Sequence, residues 1–259
     1  MSKVKSYAAL QADKPLNPHE INRREINSDD VNIDILYCGV CHSDIHMARN
    51  EWNNTSIYPM VPGHEIIGIV KEVGSDVSKF KVGDNVGVGV YVDACEKCEN
   101  CNSGKDHYCE EGVVLTYNSY EYGTRNITYG GYSKSIVVKE NYVIKVPSDM
   151  DMAKAAPLLC AGITTYSPLR HFKINSNHKV GIAGLGGLGH MGLKFASSFG
   201  ADVVVFSTSD SKQDEAFEMG ANHFVNVNNK EDVKKHLNSC DYILDTVSAN
   251  RDMAQVFSF

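Results

Sequence analysis

Four cysteines fall within fifteen residues, as Cys95-x2-Cys98-x2-Cys101-x7-Cys109, and no other stretch constrains the fold as tightly. Four thiolates at that spacing can surround one zinc ion tetrahedrally at about 2.3 Å, and a site closed by four protein ligands is structural. The intervening residues include Glu96, Lys97, Glu99, Asn100, Lys105 and Asp106, too polar a set to fold by burying itself. An iron–sulfur cluster takes the same ligands at x2 spacings, and unpaired surface thiols are the plain alternative. His107 could replace one cysteine, although four already satisfy an ion. The remaining cysteines stand at 38, 41, 160 and 240. The N-terminus carries basic residues with no apolar run behind them, so an export signal is not expected and the compartment should be cytoplasmic. There, clustered cysteines read as metal ligands rather than disulfides.

With 259 residues the chain is expected to form two domains. Its net charge of −7 argues against nucleic acid as a partner, and no apolar run is long enough for a membrane span. Short β segments dominate the first part: Val31 to Leu36, Ile66 to Val73, Asn85 to Val92 and Ser135 to Lys139, separated by Gly-marked turns. From Asp149 the pattern changes. Asp149 or Asp151 can cap a helix that Pro157 bends and that carries Cys160, opening a second domain. Strands at Val180–Ala183, Val203–Phe206, 223–227 and 242–244 then alternate with helices at Leu188–Phe199, Ser211–Met219 and Glu231–Leu237. Such alternation specifies a parallel sheet covered by helices. The expected domains are therefore 1–148, β-rich, and 149–259, a doubly wound α/β domain. That fold usually has six strands in its sheet, and four fit before the apolar Val256-Phe257, so the second domain is expected to be incomplete at its C-terminus.

A second set of metal-ligating types is Cys41, His64 and Cys160. Two thiolates and one imidazole match a catalytic zinc site that keeps one position open. Singly, each would be an ordinary core residue. Cys38-x-x-Cys41 mimics a redox pair, but no thioredoxin-like βαβ unit surrounds it, and Cys38 is expected to be a buried strand thiol. Further on, Gly184-Leu-Gly186-Gly187-Leu188-Gly189 follows a strand and opens a helix, the context in which G-x-G-x-x-G cradles a pyrophosphate. Gly184 permits the tight turn, Gly186 lets the backbone approach the phosphates, and Gly189 lets helix and strand pack closely. The acid that an NAD site places on the ribose is missing after Phe206: the chain reads Ser207-Thr208-Ser209, and Asp210 is expected to cap the next helix. With Lys212 just beyond, the site looks able to accept a 2′-phosphate.

Gly39-Val-Cys-His-Ser-Asp-Ile-His46, Pro62-Gly-His-Glu65, the cysteine lobe, Gly130-Gly-Tyr-Ser133 and Leu158 to Pro168 resemble the zinc-dependent medium-chain alcohol dehydrogenases, in their cinnamyl alcohol dehydrogenase branch. The resemblance implies a GroES-like catalytic domain followed by a Rossmann domain. It implies one catalytic zinc on Cys41, His64 and Cys160, with Glu65 as an alternate or supporting ligand, and one structural zinc on Cys95, Cys98, Cys101 and Cys109. Asp44 would fix the tautomer of His64, and Ser43 and His46 would carry the proton to solvent. His42, Gly184, Gly186, Gly187, Leu188, Gly189, Ser207, Thr208, Ser209 and Lys212 would hold NADP. In that family the subunits form homodimers. The expected activity is interconversion of primary alcohols and aldehydes by hydride transfer with NADP(H). Trp52, Tyr58 and Tyr117 could give a pocket for aromatic or medium-chain substrates, or could simply pack the core. A polyol dehydrogenase would need more polar pocket groups. A non-enzymatic zinc module would leave the Gly-rich loop and Cys160 without a purpose.

Overall fold

A computed structural model describes residues 1–249, 256, 258 and 259. Of the apolar pair near the C-terminus, Val256 is buried, whereas Phe257 lies outside the described residues. The chain divides into two compact units, Met1–Cys160 and Ala161–Phe259. The change of pattern at Asp149 thus falls inside the first of them.

In the first unit the strands are β1 (Ser2–Ala8), β2 (Asn17–Arg23), β3 (Asp30–Cys38), β4 (Ile66–Val73), β5 (Asn85–Val88), β6 (Tyr91–Asp93), β7 (Val114–Leu115), β8 (Ser135–Lys139) and β9 (Val143–Lys145). Helices α1 (His42–Ala48), α2 (Glu99–Asn102) and α3 (Met152–Ala155) interrupt or follow them. Five strands form one antiparallel sheet in the order β8-β3-β4-β5-β9. Val31, Ile33, Ile66, Val70, Val86, Val88, Ile136 and Val138 bury one face of it, as the alternating patterns require. The run 85–92 is not one strand. Asn85–Val88 pairs with β4 and β9, while Tyr91–Asp93 pairs with β7 after a break at Gly89, where an added Cβ would press on the Leu159 carbonyl at 3.2 Å.

Asp151 does cap α3, its carboxylate accepting from the N–H groups of Ala153 and Lys154. Pro157 lies in a 3-10 turn, Ala156–Leu159, and Cys160 follows that turn in neither helix nor strand. The expected helix through Cys160 is therefore two short pieces, α3 and the 3-10 turn, with Pro157, which has no N–H to give to an i−4 carbonyl, at the start of the second.

The second unit holds α4 (Ala161–His171), β10 (Lys179–Ala183), α5 (Gly187–Ser198), β11 (Asp202–Ser207), α6 (Gln213–Glu218), β12 (His223–Asn226), α7 (Lys230–Lys235) and β13 (Tyr242–Asp245). Its strands lie parallel in the order β12-β11-β10-β13, so the chain builds outward from β10 and then crosses back to the other side. Val203, Val204, Val205 and Phe206 are all buried, as a strand covered on both faces demands. Leu193, Ala196 and Ala216 from the helices close on Val180, Ile182, Val203 and Val205. Among the described residues no helix is long and apolar enough to cross a membrane.

Candidate functional site

α1 begins where β3 ends. Cys41 is its N-cap residue, and Asp44, three positions on, accepts from the Cys41 N–H at 3.0 Å. The same buried carboxylate accepts from the Gly63 N–H at 2.9 Å and faces His64 Nδ1 at 3.0 Å. The Tyr132 hydroxyl donates to it at 3.3 Å. Asp44 is thus both a helix cap and the partner of His64. A proton held on Nδ1 leaves Nε2 as the ligating nitrogen.

Cys41, His64 and Cys160 offer ligand atoms that all lie within 4.8 Å of one another. The Cys41 and Cys160 sulfurs are 3.8 Å apart across 119 residues of chain. Two sulfurs each about 2.3 Å from one tetrahedral ion stand about 3.8 Å apart, so the thiols already have the spacing a zinc ion imposes. Sharing a hydrogen bond with Cys160 pulls the Cys41 thiol well below its ordinary range, with further help from His64 and Ser43, and the same pairing pushes Cys160 up. Burial disfavours the imidazolium of His64, but its bonds to Asp44 and Cys41 outweigh burial and lift it to about 10. Glu65 is buried beside the group, its Oε2 only 1.9 Å from where a Cβ on Gly39 would stand, yet its carboxylate is not part of that three-residue cluster.

Cys38 lies outside that cluster: its sulfur bonds the Gly39 carbonyl at 3.6 Å, and burial pushes the thiol up to about 12.

Around α1 the rings stack: His42 on His46 at 4.6 Å, and His46 on Trp52 at 5.4 Å. His46 Nδ1 pairs with the Glu51 carboxylate. His42 is exposed, and Ser43 lies beside the Cys41 sulfur. Tyr117 is buried with its ring 5.9 Å from that of His64, whereas Tyr58 spends its hydroxyl on the Ala48 carbonyl and packs with Met47 and Met60.

Cys95, Cys98, Cys101 and Cys109 form a second compact ligand group, with the Cys95 and Cys101 sulfurs 3.8 Å apart. The backbone wraps the sulfurs: the N–H of Cys98 points at Cys95, that of Cys101 at Cys98, and that of Cys95 at Cys109. His107 packs against Tyr108 with the two rings tilted by 47° and is outside the group.

In the second unit, Gly184 has φ +84, and Gly189 packs so tightly that a Cβ would lie 2.1 Å from the Gly184 carbonyl oxygen. Gly186 and Gly187 face open space, and no side chain caps α5. Lys212 does not point away from this loop: its ammonium donates to the Leu185 carbonyl at 2.9 Å. Ser209, not Asp210, caps the turn after β11, accepting from Ser211 N–H. Asp210 instead accepts from Asn226 Nδ2 at 2.8 Å. Ser207 is buried and its hydroxyl accepts from the Ser209 N–H; Thr208 is exposed. The reading of residue types missed Tyr132, Glu51 and His190: Tyr132 reaches Asp44 across 88 residues of chain, whereas Glu51 stands five residues after His46 and His190 four after Gly186.

Residues 27–148 match the family described as the alcohol dehydrogenase GroES-like domain, and residues 187–259 match that described as zinc-binding dehydrogenase. The chain is 50% identical over 252 residues to aldehyde reductase YahK of Escherichia coli, covering 97% of this chain and 72% of that protein. It superposes on a cinnamyl alcohol dehydrogenase of Sorghum bicolor with a TM-score of 0.95 at 41% identity, over 99% of this chain and 73% of that one. A cinnamyl alcohol dehydrogenase of Helicobacter pylori complexed with NADP(H) gives 0.91 at 45% identity, over 98% and 72%.

Proposed function

Since the chain belongs to the zinc-dependent alcohol dehydrogenases, in their cinnamyl alcohol dehydrogenase branch, we propose that it interconverts primary alcohols and aldehydes by hydride transfer with NADP(H). The observation that carries this reading is the meeting of Cys41, His64 and Cys160, two sulfurs at tetrahedral spacing and one imidazole oriented by a buried carboxylate.

In this reading Cys41, His64 and Cys160 hold the catalytic zinc, and Cys95, Cys98, Cys101 and Cys109 the structural one. A zinc ion so bound supplies Lewis acidity, polarising a carbonyl oxygen or acidifying an alcohol. Asp44 keeps the His64 proton on Nδ1 and so keeps Nε2 available. Glu65 adds negative charge close by without belonging to the tight cluster. The proton released by an alcohol leaves by way of Ser43 and His46. Because Glu51 engages His46 Nδ1, the nitrogen that takes up and gives off this proton is Nε2. Trp52, stacked on His46, and Tyr117, beside His64, offer ring surface suited to an aromatic or medium-chain substrate.

The open Gly186–Leu188 turn takes the pyrophosphate, with His42 as a further polar contact. Ser207, Thr208, Ser209 and Lys212 take the 2′-phosphate, in the absence of a ribose-binding acid after β11. Lys212 can keep the Leu185 carbonyl and still present N–H groups to a phosphate, since an ammonium carries three donors. The assembly is expected to be a homodimer and the compartment cytoplasmic, in keeping with the reading of the sequence.

The deciding experiment reconstitutes the purified protein with zinc and measures aldehyde reduction with NADPH and with NADH. Turnover that needs Cys41 and prefers NADPH is expected, and replacing Thr208 with Asp should move preference toward NADH by repelling the phosphate. Zinc-loaded protein that binds neither cofactor would overturn the reading.

A further inference from the structure

The Gly-rich loop is held at two successive carbonyls, one by Lys212 and the other by His190 of α5, whose ring is backed by Glu215. Lys212 donates to the Leu185 carbonyl at 2.9 Å. The next carbonyl, Gly186 O, accepts twice from His190: from its backbone N–H at 2.9 Å and from ring Nδ1 at 2.6 Å. His190 Nε2 in turn reaches the Glu215 carboxylate on α6 at 3.1 Å. Both partners of the ring are acceptors. A neutral imidazole has only one N–H, so the two bonds exist together only in the imidazolium.

A trans peptide is planar, with its C=O and N–H pointing in opposite directions. Pinning Gly186 O down into the first turn of α5 therefore aims the Gly187 N–H out of the helix end. No side chain caps that end, and no atom would meet a Cβ on Gly186 or Gly187 within 4 Å. Resting on the dinucleotide reading of this loop, we propose that His190 is a positioning residue for the cofactor's pyrophosphate, fixing the Gly186–Gly187 peptide while Glu215 holds the ring in place. A positive ring in the first turn opposes the helix dipole, and Glu215 offsets that cost while the added charge favours a phosphate. Lys212 also lies against the loop, and Asp245 ends β13 in register with Ala183.

The test is calorimetric titration of the whole chain with NADPH and with NADH, for the wild type, His190→Ala, His190→Gln and Glu215→Gln. His190→Ala should weaken both cofactors alike, by about tenfold or more, the equivalent of one charge-assisted hydrogen bond. This contrasts with Lys212→Ala, which should penalise NADPH more than NADH. His190→Gln can still donate to Gly186 O, so it should recover part of the affinity for both cofactors, and Glu215→Gln should cost less than His190→Ala. A merely structural histidine would lower thermal stability on substitution and show no recovery of affinity with glutamine. A loss within twofold for His190→Ala, or no recovery with His190→Gln, overturns the proposal. A wild type that binds neither cofactor instead overturns the dinucleotide reading on which it rests.

Discussion

Asp44 meets four groups at once: the N–H of Cys41, the N–H of Gly63, the ring of His64 and the hydroxyl of Tyr132. Replacing it with Ala should cost about 3 kcal/mol, because buried donors lose their acceptor. It should also weaken zinc by about 10- to 100-fold, as loss of a histidine's partner generally does. Urea unfolding and competition with a chelator measure the two effects separately. The pH dependence follows from the direction of the shift. Burial opposes ionisation of Asp44, but the hydrogen bonds from His64, Cys41 and Gly63 outweigh it and hold the carboxyl below its ordinary 3.8. A carboxyl depressed by folding stabilises the protein above its unfolded value and loses that contribution as pH falls through the folded one. The stability gap between wild-type apoprotein and Asp44→Asn should therefore be full at neutral pH and narrow below pH 3.8. Arg23 makes a different kind of anchor. Its buried guanidinium donates to the carbonyls of Tyr129, Gly130 and Ser135 and to the Ser133 hydroxyl, fixing the backbone on either side of Tyr132. Arg23→Lys cannot reproduce that planar fork. It should lower the urea midpoint even though the charge is kept.

At the scale of elements, the strands were readable wherever buried residues alternate or run together, as in β3, β4 and β11. β1 was not, since its buried positions are Val4, Ser6 and Ala8, a pattern with little hydrophobic contrast. α4 was hidden by Pro168 within it and by the Thr164-Thr165 pair, neither of which favours a helix. The candidate metal ligands were readable because cysteine and histidine announce their chemistry by type. Tyr132 was not, because its partner Asp44 stands 88 residues away, and Glu51 was not, because an acid five residues after a histidine is common on any surface. Two elements give sharp tests. Gly189→Ala forces a Cβ onto backbone 2.1 Å away, whereas Gly186→Ala enters open space. The first should destabilise the second unit by about 1–3 kcal/mol in thermal unfolding, the usual cost of overpacking. The second should leave its stability nearly unchanged. In the cysteine lobe, neither α2 nor the 3-10 turn Asp106–Tyr108 has a buried residue. Stripping its metal should therefore expose the amides of 95–112 to hydrogen exchange while those of β3, β4 and β5 stay protected.

For the molecule as a whole, elemental analysis should find two zinc ions per chain. The one on Cys41, His64 and Cys160 should leave first under chelation, since three ligands leave a coordination position exposed to attack. The chain spans 72% of the length of its Escherichia coli relative, and its described residues include the seven proposed metal ligands and the whole Gly-rich loop. The two ligand groups differ most in how far apart their members lie along the chain. The lobe joins residues 14 apart at most, whereas Cys41 and Cys160 are separated by 119. By loop-closure entropy the longer closure costs about 2 kcal/mol more in an unordered chain. The lobe can therefore capture its ion while most of the polypeptide is still unordered. The distant pair meets only after β3, β4 and the turn before Cys160 have come together. During refolding with a colorimetric zinc indicator, uptake should be biphasic, a fast equivalent followed by one that keeps pace with the sheet. The slow ion thereby becomes a clock for completion of the first unit.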